Sequence, residues 1–184
     1  MFEAIMSCRR CGLCQHQPPL MDEARVCQVF WVGLSAKKAT SDDEKPLSPT
    51  TNSGSILCSV EERCEGISMY RTNLVKCLPL DEGGKLRYPN NCEIGLCLPN
   101  LSAEIDELAP QLIFLLGSQV TNAVSRHYSL EFDKWYEFEY IVKKFRNMYF
   151  VPVHHPSYIH VYKRKRIDEY VGGLERVIRQ VLYA

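Results

Sequence analysis

The segment ISMYRTNLVKCLP, residues 67–79, combines a strand pattern with reactive side chains at its end. Residues 67–75 alternate well enough between apolar and polar side chains to predict a β-strand. Asn73 and Cys77 lie at the carboxyl end of this strand, and a loop follows from Pro79. Upstream, the run VCQVFWVG at residues 26–33 predicts a buried strand that ends on a glycine.

Strands and helices continue to alternate along the rest of the chain. Short apolar runs predict strands at residues 111–116 and 149–153. Helical patterns begin near residues 54, 91, 118 and 166, and Ser53 is the predicted cap of the first. Strands separated by helices indicate a parallel sheet that is covered on both faces. We therefore predict an α/β fold, a single three-layer α/β/α domain over residues 1–184 with a short, mostly parallel central sheet.

The predicted strand ends indicate where a ligand would bind. In open α/β sheets, ligands bind beyond the carboxyl ends of the strands. Those ends fall at Gly33, at residues 73–77, at Gly117 and at residues 154–157, and they are mostly polar or glycine.

Composition sets limits on the partners and the compartment. The 184 residues carry 22 basic and 22 acidic side chains, so affinity for nucleic acid must come from local patches. Two such patches are residues 143–146 and residues 163–166. No apolar run approaches the roughly 18 residues of a membrane span, and the first residues lack the apolar region of a secretory signal. With nine cysteines, these features favour a reducing compartment, and we expect a cytoplasmic protein.

Six cysteines have the spacing or position of metal ligands, namely Cys8, Cys11, Cys14, Cys77, Cys92 and Cys97. Cys8-x-x-Cys11 lets two thiolates bind one metal centre, but Cys11-x-x-Cys14 has the same spacing. A four-thiolate site needs a second pair, which is Cys77 with one of the two later cysteines. Such a site binds an iron–sulfur cluster or tetrahedral zinc. The other three cysteines, Cys27, Cys58 and Cys64, are predicted to be core or surface residues.

Five motifs occur in the order of a known family. They are CxxC at residues 8–11, TNLVKCLP at 72–79, EIGLCLPNL at 93–101, PQLIFLLG at 110–117 and HPSY at 155–158. Together they resemble the iron–sulfur uracil-DNA glycosylases of the fourth and fifth families, and the resemblance covers nearly the whole chain. It implies a domain of that superfamily with an amino-terminal iron–sulfur segment.

The resemblance implies a structural [4Fe–4S] cluster. Matching the family's ligands residue by residue selects Cys8, Cys11, Cys77 and Cys97. Cys14 and Cys92 are the alternative ligands, and zinc is the alternative metal.

The resemblance also implies an activity and two catalytic residues. The family's enzymes flip a base out of the stack and hydrolyse its N-glycosidic bond. Asn73 matches the residue that reads the edge of the base, and its amide supplies both a donor and an acceptor. His155 matches the residue that donates to the carbonyl oxygen of the leaving base, and His154 is the competing candidate. The expected substrate is a damaged or modified base in DNA.

The sequence departs from the family at the base pocket. Related enzymes have a Gly-Glu-Ala-Pro-Gly-like motif after the first strand, whereas this chain has Gly33, Leu34 and Ser35 followed by Ala-Lys. The fifth family also has Gly-Leu at this point, so the loss of the acidic residue does not by itself exclude catalysis. Leu47 stands where relatives place the phenylalanine that stacks on the base, and it offers no aromatic face. These residues and Ser118, whose backbone amide begins a helix, are the predicted substrate-binding residues. The run at residues 42–44, Asp-Asp-Glu, is a candidate source of the missing carboxylate.

The segment after the last strand matches the family's DNA-contacting loop. The predicted DNA-binding residues are Ser157, Tyr158, Tyr162, Lys163, Arg164, Lys165 and Arg166. Tyr158, Ile159 and Tyr162 are candidate wedges, and the four cations are candidate phosphate contacts. The expected partner is single- or double-stranded DNA. We expect the protein to be a monomer and not to bind a membrane.

Two other functions fit parts of the sequence. The altered pocket motifs favour a nucleic-acid-binding protein that has lost the chemistry, whereas Asn73 and the His-Pro-Ser segment favour the enzyme. An iron–sulfur electron carrier is the third hypothesis, but the cysteines lack the compact ferredoxin spacing.

Overall fold

A computed structural model of the chain describes residues 1–41, 44–132 and 137–183. Strands and helices alternate through these residues, and two short 3₁₀ turns lie at Leu13–Gln15 and Arg164–Arg166. The strands are β1 Val29–Ser35, β2 Met69–Val75, β3 Leu112–Leu116, β4 Lys143–Phe145 and β5 Met148–Val153. The helices are α1 Phe2–Met6, α2 Asn52–Arg63, α3 Asn91–Leu108, α4 Ser118–Tyr128, α5 Pro156–Tyr162 and α6 Ile167–Leu182.

The described strands form one sheet in the order β2-β1-β3-β5-β4. The pairs β1–β2, β1–β3 and β3–β5 are parallel, and only β4 runs antiparallel to its neighbour. Helices cover both faces: α2, α5 and α6 pack on one, and α3 and α4 pack on the other. The predicted fold class, an α/β/α arrangement around a short and mostly parallel sheet, is confirmed. No helix in the described ranges is both long enough and apolar enough to cross a membrane.

Both faces of the sheet are buried, which explains why its strands are continuous apolar runs. Successive side chains of a strand point to opposite faces. Trp31 accordingly stacks on Phe114 in one core, with ring centroids 4.5 Å apart. Its neighbour Phe30 packs against Tyr70 in the other core, at 4.8 Å. The sheet is therefore a rigid platform for the loops at its carboxyl edge.

The structure corrects several predicted boundaries. Val26 is 85% exposed and precedes β1, which continues past Gly33 to Ser35. Helix α2 is capped by Thr51 and not by Ser53, because Thr51 Oγ1 accepts the Gly54 N–H at 3.0 Å.

Two elements near the last strand were missed. The edge strand β4 has only three residues, two of which are the half-buried Lys143 and the exposed Lys144, so it carries no apolar signal. Residues 156–162 form helix α5, where we predicted a loop. Proline suits the first turn of a helix, and His155 caps it. The basic patch at residues 143–146 precedes β5, and thus lies opposite the edge where the parallel strands end.

Candidate functional site

The carboxyl ends of the four parallel strands open into a cleft of about 840 Å³. Nine of the predicted site residues line it, namely Leu34, Ser35, Leu47, Asn73, Ser118, His155, Ser157, Tyr158 and Tyr162. The structure therefore brings together the predicted base-reading residues and three of the seven predicted DNA-binding residues. In the described part of the chain, Gly33 and residues 163–166 do not contribute to this lining.

Gly33 makes room for the side chain of Asn73. The two residues are partners in the register of β1 and β2. A Cβ atom on Gly33 would lie 2.4 Å from Asn73 Oδ1 and 3.2 Å from Leu47 Cδ2. Asn73 is only 3% exposed and lies on the cleft lining. Gly33 therefore acts behind the lining, by leaving room for the side chains of Asn73 and Leu47.

His155 is held by the helix that it caps. Its Nδ1 accepts the Ser157 N–H at 3.2 Å and lies 2.8 Å from Ser157 Oγ. Because Nδ1 is an acceptor, the neutral imidazole carries its proton on Nε2. Burial, followed by the positive charge of Lys37, lowers the pKa of His155 to about 4. At neutral pH this histidine is thus an uncharged Nε2–H donor.

The turn that carries Leu47 is fixed from two sides. Leu47 has a φ of 52°, a left-handed conformation that is rare for a bulky residue. Its carbonyl oxygen accepts a hydrogen bond from Arg71 Nη1 at 2.6 Å, and Arg71 is ion-paired with Glu61. On the other side, a Cβ atom on Gly54 would lie 1.9 Å from the carbonyl oxygen of Ser48. The surroundings therefore hold the turn at Leu47 and Ser48, the pocket turn, in one conformation.

One acidic residue of the run at 42–44 lines the cleft. The Glu44 carboxylate accepts a hydrogen bond from Thr40 Oγ1 at 2.6 Å. Hydrogen bonds from Thr40 and Ser48 lower the pKa of Glu44, so it is ionised at neutral pH. Asp42 and Asp43 lie outside the described residues.

Cations outnumber acids on the described lining of the cleft. Lys37 and Lys38 are exposed there, as part of the segment that replaces the family's first motif. Lys45 and Arg87 also line the cleft, but each is ion-paired, Lys45 with Asp22 and Glu23 and Arg87 with Glu93. The cleft is therefore suited to an anionic ligand.

A buried ion pair lies beneath β2. The side chains of Lys76 and Glu104 are 1% and 0% exposed and form a salt bridge. Glu104 also accepts hydrogen bonds from Tyr70 at 2.9 Å and Thr72 at 3.0 Å. Lys76 Nζ donates to the backbone carbonyl of Asn73 at 2.7 Å. This network connects the cleft residue Asn73 to helix α3.

Five cysteines surround one small space between the amino terminus, the end of β2 and helix α3. They are Cys8, Cys11, Cys14, Cys77 and Cys97. N–H groups approach two of the sulfur atoms: Asn100 Nδ2 lies 3.6 Å from Cys8 Sγ, and the Lys76 amide lies 3.4 Å from Cys97 Sγ. Cys92 is exposed and lies outside this group. Among the described residues, no three Cys, His, Asp or Glu side chains are arranged to hold a single metal ion.

The predicted wedge residues lie on helix α5 and have different environments. Tyr158 and Tyr162 are 37% and 71% exposed. Ile159 is fully buried in the core against α2 and α6, so its predicted role as a wedge is wrong. His154 stacks on Tyr158 at 5.3 Å, and in the described residues only His155 of the two histidines lines the cleft.

The basic run after α5 is partly paired within the chain. Glu137 accepts salt bridges from Lys163 at 2.9 Å and from Arg166 at 3.1 Å. Arg164 and Lys165 are exposed. Exposed ion pairs contribute little to stability, so phosphate groups can compete for the two paired cations.

Sequence reasoning missed several residues of the site. Lys37 stood in the altered first motif but was assigned no role. Tyr88 belongs to a polar loop with no family signature. The buried ion pair of Lys76 and Glu104 joins residues 28 positions apart, and no local pattern predicts it. Ser53 lines the cleft with a buried hydroxyl that has no hydrogen-bond partner among the described residues.

Comparison with known proteins agrees with the motifs. A family model described as "Uracil DNA glycosylase superfamily" matches residues 22–176. The chain is also 24% identical, over 167 residues, to a protein of Sulfurisphaera tokodaii described as "Type-4 uracil-DNA glycosylase". That alignment covers 84% of this chain and 72% of the relative.

Proposed function

Because the chain belongs to the uracil-DNA glycosylase superfamily, we propose that it is a monofunctional DNA glycosylase for a damaged or modified base. The observation that carries the proposal is the pairing of Asn73 with His155 in one cleft. Asn73 supplies a donor and an acceptor for the edge of a base. His155 supplies a neutral Nε2–H donor, whose other ring nitrogen is fixed by Ser157.

The reaction follows from these two groups and a water molecule. Water attacks C1′ of the sugar and releases a proton, the C1′–N bond breaks, and the base leaves with the bonding electrons and takes up one proton, so that the products are the free base and the abasic sugar. The His155 Nε2–H donates to the carbonyl oxygen where negative charge develops. Glu44 is the carboxylate on the described lining that can orient water or stabilise the cationic sugar. The sequence signals that favoured a protein without catalysis, Leu34 and Leu47, change the pocket but leave this pair intact.

The substrate is tested with a panel of bases, because Leu47 gives the base an apolar contact without an aromatic face. Single-stranded and duplex oligonucleotides containing uracil, hypoxanthine, xanthine or bulky modified bases are incubated with the protein and assayed for abasic sites. We expect release of at least one base, reduced at least tenfold by His155→Ala or Asn73→Ala, a magnitude typical of such donors. His160→Ala, on the same helix but outside the lining, is the control. Silence across the panel with DNA binding preserved would mean a binding protein without this chemistry.

We further propose a [4Fe–4S] cluster on Cys8, Cys11, Cys77 and Cys97, with Cys14 as a fifth thiol beside it. Support comes from the small space that these thiols share and from the N–H groups beside two of the sulfur atoms. A four-iron cluster holds its thiolates farther apart than one metal ion does, which is consistent with the lack of a single-ion site in the described residues. Its role there is structural, because the thiols are distant in sequence and connect three segments.

The cluster is tested by colour and by replacing ligands. Protein purified without oxygen should be brown and absorb near ~400 nm. Cys77→Ser should lose the iron, whereas Cys92→Ser, at an exposed position, should retain it. Cys14→Ser should also retain it if the four ligands are assigned correctly. Colourless protein that contains one equivalent of zinc would mean that these cysteines bind zinc and not an iron–sulfur cluster.

We also propose that the chain acts on DNA as a single-domain monomer in the cytoplasm. The nine cysteines support the compartment, since they remain reduced there. Sedimentation of the protein with and without an oligonucleotide tests the oligomeric state.

A further inference from the structure

One wall of the cleft is a braced loop between β2 and α3 that displays apolar side chains. Leu86 is 55% exposed and Tyr88 is 75% exposed. Between them, Arg87 forms two hydrogen bonds to the Glu93 carboxylate, at 2.6 and 2.8 Å. The Arg87 amide donates to the Pro79 carbonyl at 3.1 Å, so the loop folds back on itself. Tyr88 is therefore presented to the cleft by a fixed backbone.

A second wall of the same cleft is helix α5. Tyr158, Val161 and Tyr162 line the cleft and are 37%, 62% and 71% exposed. The rings of Tyr158 and Tyr162 lie 5.2 Å apart and form a continuous aromatic surface.

The exposed apolar residues are concentrated at this cleft. Nine large apolar side chains are exposed in the described chain, and five of them line its two walls. Single exposed apolar residues need no explanation, but a group around one cleft marks a binding surface.

The charges at the cleft select among possible occupants. Lys37 and Lys38 lie exposed on the lining, and Arg164 and Lys165 lie exposed just beyond α5. A ligand that satisfies both features has negative charge along its length and flat apolar faces. Single-stranded DNA has both, because its phosphates are anionic and its unpaired bases expose faces that stack on aromatic rings. A duplex keeps those faces covered.

We propose that the two walls hold unpaired nucleotides on both sides of the target base, so that the preferred substrate is single-stranded DNA. This inference rests on the proposed function for the identity of the ligand. Tyr88 stacks a base on one side of the target position, and Tyr158 with Tyr162 stacks bases on the other.

The test measures binding without catalysis. Fluorescence anisotropy, at one fixed salt concentration, follows binding of a labelled oligothymidylate and of an undamaged duplex of equal length. Tyr88→Ala should weaken binding of the single strand about tenfold, a typical loss for one stacked base, and should change duplex binding less than twofold. Tyr183→Ala is the matched control, because this tyrosine is 66% exposed but lies outside the cleft. It should change neither affinity.

The outcomes separate this inference from the proposed activity. Equal losses for the single strand and the duplex, or no loss with Tyr88→Ala, would overturn the proposal that the two walls hold unpaired nucleotides. If single-strand binding depends on Tyr88 but the protein releases no base, the cleft walls bind unpaired nucleotides as proposed and the proposed glycosylase activity is wrong. Base release from the duplex at least as fast as from the single strand would also overturn the preference.

Discussion

At the scale of single residues, the charge state of His155 is set by its neighbours. Burial is the larger cause and Lys37 the second of a pKa lowered to about 4 from the ordinary value of 6.5. In an NMR titration we therefore expect the His155 imidazole to gain its proton only as the pH falls toward about 4. Lys37→Ala should raise this pKa, yet keep it below 6.5, because burial remains. Lys38→Ala, at the next position, is the control.

The same shift has a consequence for stability. Since the folded-state pKa is below the unfolded value, the unfolded chain takes up the proton first as the pH falls. His155 therefore lowers stability progressively between about pH 6.5 and pH 4, and contributes nothing above that range. A Lys37→Ala variant that titrates like the wild type would contradict the placement of Lys37 beside His155.

The sequence predicted those residues of the site that sit in local motifs. Asn73 and His155 follow strands in recognisable segments, and both line the cleft. Lys37 and Tyr88 were assigned no role, because their part depends on what the fold places opposite them. Ile159 was assigned wrongly because helix α5 turns it inward, which a loop would not do.

At the scale of elements, α2 and the pocket turn depend on one glycine. Gly54→Ala would place a Cβ atom 1.9 Å from a backbone oxygen, so the turn or the helix must move. We expect a loss of about 3 kcal/mol in the free energy of unfolding, the upper range for overpacking. Gly95→Ala is the matched control within α3, where nothing lies within 4 Å of the new atom. It should stabilise the protein by about 0.5–1 kcal/mol, the helix preference of alanine. Urea unfolding measures both, and equal effects would refute the close contact.

The packing of α3 on β2 depends on the buried pair of Lys76 and Glu104. Lys76→Met leaves a buried carboxylate, and Glu104→Gln leaves a buried ammonium, so each should cost about 3–5 kcal/mol. The double variant removes both charges and keeps an acceptor for Tyr70 and Thr72, so it should be more stable than either single variant. Additive losses in a double-mutant cycle by urea unfolding would show that the two charges are not coupled.

Elements were predictable where their own residues carry an apolar pattern. The four parallel strands and helices α2, α3, α4 and α6 were all predicted, with boundary errors of a few residues. Strand β4 was missed because it forms by backbone pairing with β5 at the edge of the sheet, and its own side chains carry no strand pattern.

At the scale of the whole molecule, the amino-terminal segment contacts the body at the cysteine group and at helix α3, where the Met1 amino group lies 3.3 Å from the Glu107 carboxylate. Its hydrogen bonds to the body include the Leu20 amide to the Lys76 carbonyl at 2.8 Å and His16 Nδ1 to the Leu78 carbonyl at 3.1 Å. Leu13 is buried within the cysteine group, and Met1 and Phe2 pack against the outside of one sheet core, but the buried residues of both large cores come from Cys27 onward. The proposed cluster therefore stabilises one edge of the fold, and the sheet has its own cores.

Loss of the proposed cluster should accordingly loosen the amino-terminal segment and the start of α3 and leave the centre of the sheet folded. In Cys77→Ser, hydrogen exchange should increase in residues 8–20 and in the first turns of α3, because these segments lose their common anchor. Exchange in β1 and β3 should stay slow, since their side chains remain buried between the two helical layers. Cys92→Ser changes an exposed cysteine on helix α3, and this variant should exchange like the wild type. Loss of protection throughout the sheet would mean that the cysteine group holds the entire fold together, and the separation into an anchored edge and an independent core would be wrong.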